Sequence, residues 1–115
     1  MRKHKVVYNT AVCGGIALSE KAVAWLKERG FKEQVEPNVL YCYLDYMPQL
    51  TRHDPLLVEC VETLGDDANG IGGEWVKTKV DLHVATIVGN YYYIDDHDGA
   101  GEEVIDITKM IDASE

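Results

Sequence analysis

The stretch that decides the fold is residues 4–19, His4-Lys5-Val6-Val7-Tyr8-Asn9-Thr10-Ala11-Val12-Cys13-Gly14-Gly15-Ile16-Ala17-Leu18-Ser19. β-Branched residues crowd positions 4–12, which read as a strand. Cys13-Gly14-Gly15 breaks it. Ser19 then offers an N-cap hydroxyl, and Leu18 stands where it can staple to Val23. Ala22, Val23, Trp25 and Leu26 fall on one helical face, and Gly30 is the expected residue just past the helix end.

Working outward, the same passage recurs. Val39–Tyr46 reads as a strand, with Leu40, Cys42 and Leu44 alternating against Tyr41 and Tyr43, and Pro48 ends it. Asp54-Pro55 starts a second helix, with Asp as N-cap and Pro at the first helical position. Leu57, Val58, Val61 and Leu64 make its apolar face, and Gly65 closes it. Asp66–Gly73 is a polar, glycine-rich excursion. Trp75–Val88 reads as one or two strands, and Gly89-Asn90 as a turn into Tyr91–Ile94. Asp95–Gly101 is a second turn, Glu103–Ile107 a last strand, and residues 109–115 a frayed acidic tail. The expectation is one α/β domain of the α+β kind over residues 1–115, ordered β-α-β-α-β-β-β. It has two helices and a mixed sheet whose first two strands run parallel.

Composition narrows the partners. Twenty acidic residues against eleven basic give a net charge of −9. That field repels phosphate backbones and anionic lipid, so neither polymeric nucleic acid nor a membrane surface is an expected partner. Cys13, Cys42 and Cys60 are an odd count with no CxxC pair, and no metal-ligand spacing occurs. Cys42 and Cys60 sit among apolar residues as buried thiols. No apolar run is long enough for a signal or membrane segment, so a reducing, cytoplasmic setting is expected.

The chemistry-bearing candidates lie in three places. Thr10, Cys13, Gly14 and Gly15 lead to the helix start at Ser19, where free N–H groups and the helix dipole favour an anion. The motif is neither a Walker loop nor a dinucleotide fingerprint. Arg52 and His53 stand just ahead of the Asp54 helix start, and their charge makes a second local anion site. Arg52→Ala is expected there to weaken anion binding with little effect on folding. Alternation puts Tyr91 and Tyr93 on one sheet face, as stacking platforms or interface anchors, and Tyr92 on the other. The acidic run from Asp95 to Gly99 fails as a calcium loop, because Ile94 and Ile105 fall where carboxylates are required. No catalytic motif, metal site or cofactor is expected, although Cys13 with His53 or His97 is an alternative thiolate pair for a small hydrolase or transferase.

Three blocks carry a resemblance: Tyr8-Asn9-Thr10 with Gly14-Gly15-Ile16-Ala17-Leu18-Ser19-Glu20-Lys21-Ala22-Val23; Arg52-His53-Asp54-Pro55-Leu56-Leu57-Val58-Glu59 with Leu64-Gly65-Asp66-Asp67-Ala68-Asn69-Gly70; and Tyr92-Tyr93-Ile94 ahead of Asp98-Gly99. Together they resemble a group of short bacteriophage and prophage proteins without an assigned function. The resemblance implies action inside an infected bacterium and brings no catalytic residues. The function expected is non-catalytic capture of a small anionic nucleotide signal in counter-defence, with acidic inhibition of a host protein as the alternative. A homo-oligomer, most simply a dimer, is expected to cover a sheet face that two helices leave bare.

Overall fold

The computed structural model describes residues 3–11, 15–41, 51–71, 79–97 and 101–106. They form one α+β domain: β1 (Lys3–Asn9), α1 (Glu20–Glu28), α2 (Pro55–Leu64), a 3-10 turn (Gly65–Ala68), β2 (Leu82–Val88), β3 (Tyr92–His97) and β4 (Gly101–Asp106).

Both helices start where local chemistry directs. The Ser19 side chain accepts from the Ala22 N–H, and Asp54 accepts from Leu56 N–H with Pro55 in the first turn. Both end at glycine in the left-handed region, Gly30 at φ 73° and Gly65 at φ 56°, where a side chain is disfavoured.

The strands pair differently from the expected mixed sheet. Among the described residues they make two antiparallel pairs, β1 with β2 and β3 with β4. β1 runs against β2 along its whole length, from Lys3 opposite Val88 to Asn9 opposite Leu82. On its other edge the Val7 N–H donates to the Arg52 carbonyl at 2.9 Å, so the chain just ahead of α2 lies where a parallel neighbour was expected. Of the segment Val39–Tyr46, Tyr41 makes an isolated bridge to Ile16, and Cys42–Tyr46 lie outside the described residues. The strand expected from Trp75 is described from Lys79 onward, and the acidic tail at 109–115 lies outside as well.

Opposed residues of an antiparallel pair share a face, and each face of the β1–β2 sheet carries buried residues. Val7 and Leu82 join Leu18, Leu26, Leu57, Cys60 and Val61 in a core under the helices. Each fully buried leucine there is worth about 1.5–3 kcal/mol. On the other face Val6 and Ile87 pack with Ile94 beneath the β3–β4 hairpin. The layers therefore run helices, sheet, hairpin. The hairpin covers the face that the dimer argument left bare, so that argument loses its premise. Tyr91 and Tyr93 remain exposed at 69% and 43%, and Tyr92 turns inward, as the alternation requires.

Cys60 is buried on α2 with its thiol 3.8 Å from the Ala22 carbonyl. Burial pushes the thiol up to about 11, against a smaller lowering by Arg29. The reactive species is the thiolate, so Cys60 should resist a maleimide at pH 8 until denaturant is added. Mass spectrometry of the labelled peptide reads this, and rapid native labelling would place α2 the wrong way round. Cys13 and Cys42 lie outside the described residues. No helix among the described residues is long and apolar enough to cross a membrane.

Candidate functional site

The glycine loop and Arg52 do converge, but on an anion the protein supplies itself. Arg52 is 5% exposed, and its Nη1 and Nη2 donate to Glu102 Oε1 and Oε2 at 2.8 and 2.9 Å. Glu102 also accepts from the Asn9 N–H at 2.9 Å and the Gly15 N–H at 2.8 Å. Burial alone would raise its carboxyl pKa. The forked Arg52 contact and the two backbone donors overcome that and hold it below the usual glutamate value. Glu102 thus ties β4 to β1, to the loop before α1 and to the residue pair ahead of α2.

The other candidates are engaged or apart. Thr10 donates to Asp81 Oδ2 at 2.7 Å. Ser19 caps α1 and donates to the Asp67 carbonyl, with the Asp67 carboxylate also near on Lys21. An anionic ligand at that helix start would meet a carboxylate. Cys13 and Gly14 lie outside the described residues. His53 is exposed, with Nδ1 2.9 Å from the Tyr92 hydroxyl. His53 and Tyr92 line a cleft of about 120 Å³ with His4, Ile87 and Asn90. Small-molecule sites run to roughly 300–1,000 Å³, so this cleft is too small for a nucleotide. Tyr91 and Tyr93 face outward on the hairpin layer, separated from Ser19 by the sheet.

A different place has the dimensions of a site. After α1 the chain turns at Gly30 into residues 31–41, which carry no regular structure yet are firmly tied. Tyr41 and Ile16 exchange two backbone hydrogen bonds at 2.7 Å, and the Asn38 N–H donates to the Leu18 carbonyl at 2.8 Å. Val35 is buried in the main core, and the Glu36 N–H donates to the Tyr41 hydroxyl at 3.1 Å. Between this loop and the end of α1 runs a groove of about 660 Å³, lined by Lys27, Phe31, Lys32, Glu33, Val35 and Tyr41 among others.

Glu33 is the unusual member. Its Oε1 accepts from Thr51 Oγ1 at 3.2 Å, while its Oε2 is buried with no hydrogen-bond partner among the described residues. A buried acceptor left unmade costs about 1–3 kcal/mol, more when charged. Neither Glu33 nor Glu102 carries a sequence signal: each is one glutamate among many in an acidic chain, in a connection or near a turn. Among the described residues no cluster of three or more metal-ligating side chains occurs. Against known proteins, no family model matches the chain, and no curated protein and no solved structure does so either.

Proposed function

We propose that this chain is a non-catalytic binding protein that captures a small anionic ligand of the nucleotide class in the groove between α1 and residues 31–41. The observation that carries the reading is a groove of small-molecule size whose lining combines two aromatic rings with two lysines. Phe31 and Tyr41 supply aromatic surface for a base, and Lys27 and Lys32 supply cations for a phosphate in an otherwise acidic chain. The resemblance to phage proteins sets the biology proposed, sequestration of a nucleotide signal as counter-defence. The site differs from the one expected at Arg52, whose charge Glu102 takes up.

A second reading has its own support. Tyr93 stands opposite Ile105, beside Asp95 opposite Glu103, on the outer face of the hairpin. Exposed aromatic surface next to paired carboxylates suits a basic protein surface, or, at higher salt, a second copy of the chain.

Thermal melting against mononucleotides and cyclic dinucleotides tests the first reading. A ligand at 100 times its Kd stabilises by about 2.7 kcal/mol, a rise of several degrees for a domain of this size. Chromatography of the same mixtures should return the nucleotide unchanged. No shift with any nucleotide would overturn the reading in favour of the hairpin face.

A further inference from the structure

The edge of β2 that faces away from β1 is a second place where a partner can bind, apart from the α1 groove. In an antiparallel pair, alternate residues turn their N–H and C=O groups toward the partner strand and away from it. In β2 the even-numbered residues face away. The Leu82 N–H donates to Asn69 Oδ1 at 2.8 Å, and the Val88 N–H to Asp106 Oδ2 at 2.9 Å. The opposite strand agrees. Val7 and Asn9, paired with Val84 and Leu82, send their N–H groups off the far edge of β1, to the Arg52 carbonyl and to Glu102. Val84 and Thr86 therefore face outward too, and among the described residues no hydrogen bond takes up their N–H or C=O groups.

β4 turns this gap into a groove. It crosses the sheet diagonally, with Glu102 capping the outer edge of β1 at Asn9 and Asp106 capping the outer edge of β2 at Val88. A groove of about 290 Å³ runs between residues 85–87 on one side and residues 103–106 on the other. Thr86 is exposed beside it. Ile87, Val104 and Ile105 supply apolar surface, and the charged members of the lining are both carboxylates, Glu103 and Asp106.

We infer that this groove docks an extended segment of a basic protein, which adds to β2 through main-chain hydrogen bonds at Thr86. The inference rests on the second reading above, since Glu103 and Ile105 belong to the hairpin face as well, and it names the edge on which the partner sits. An open strand edge is a template for such pairing. Side chains alternate along an added strand, so one set meets the apolar walls and the other can carry lysine or arginine past Glu103. Charge chooses the occupant. A second copy would bring −9 against −9 at a groove without a basic side chain in its lining, whereas a basic segment is drawn to it.

Titration of the 15N-labelled chain with a blocked octapeptide of alternating lysine and valine tests this. Amide shifts should saturate over residues 84–88 and 103–106, and a glutamate–valine counterpart should cause none. Two further peptides carry N-methyl groups, one at its lysines and one at its valines. One of them should bind about tenfold weaker, a hydrogen-bond-sized loss, because one set of N–H groups faces β2. Thr86→Pro removes an outward N–H and leaves the β1 ladder intact, and it should weaken the parent peptide by about tenfold as well. Should that variant fail to fold, the methylated peptides decide. Undiminished binding of both methylated peptides would overturn the edge site. Shifts confined to Tyr91, Tyr93 and Asp95 would do the same, while keeping a basic partner on the outer face of the hairpin. No binding of the lysine peptide would overturn both. Light scattering that finds a wild-type dimer and a Thr86→Pro monomer would give the edge to a second copy and overturn the basic partner.

Discussion

Arg52→Ala should lower the stability of the fold by about 3–5 kcal/mol, the cost of leaving a buried charge without its partner. The wild-type guanidinium meets both oxygens of Glu102 in a setting where Arg52 is 5% exposed, and its Nη1 also donates to the Val7 carbonyl at 3.2 Å. Truncation strands the carboxylate with only the Asn9 and Gly15 N–H groups. Arg52→Lys should recover part of the loss, because one ammonium cannot reproduce two parallel bonds. Urea unfolding with an unchanged slope reads the difference as a shift in midpoint. This reverses the expectation, from sequence, of a ligand-facing arginine dispensable for folding. An Arg52→Ala protein within 1 kcal/mol of wild type would show that the buried pair contributes little.

Gly101→Ala should cost about 3 kcal/mol and loosen the hairpin first. Gly101 sits at φ 92°, where an L side chain is strained, and an added Cβ would lie 2.5 Å from the Thr10 carbonyl oxygen. The obstacle is backbone, so it cannot swing aside, and the strain and overlap add. Gly65→Ala is the internal control. Its φ is 56° but nothing lies within 4 Å of the added atom, so only the backbone strain of about 1–2 kcal/mol remains. Hydrogen exchange should show amides of β3 and β4 opening early in Gly101→Ala, with α2 amides still protected. Equal losses at the two glycines would mean that the hairpin does not approach Thr10 so closely.

The contrast between these residues explains what was legible in the sequence. Helix starts and stops were, because capping is local: Ser19 acts within three residues, Asp54-Pro55 within two, and Gly30 and Gly65 at the positions that end the helices. The inward turn of Tyr92 between two outward tyrosines was legible for the same reason. Strand partners were not. β1 pairs with a segment more than seventy residues away, and no local pattern distinguishes that from a parallel return after α1. The anion site was half legible. Glycine N–H groups and an arginine ahead of a helix are legible as donors, but nothing local shows that Glu102 of the same chain takes them up. The groove was not legible at all, because residues 31–41 carry no regular structure and are positioned by bonds to Ile16 and Leu18.

The most direct test is amide chemical-shift mapping of the 15N-labelled protein during titration with the nucleotide that most raises its melting temperature. The account predicts saturable shifts concentrated in residues 27–41, with Gly15, Arg52 and Glu102 unmoved because their hydrogen bonds are internal. Shifts centred on Gly15, Ser19, Arg52 and His53, with residues 27–41 silent, would contradict it.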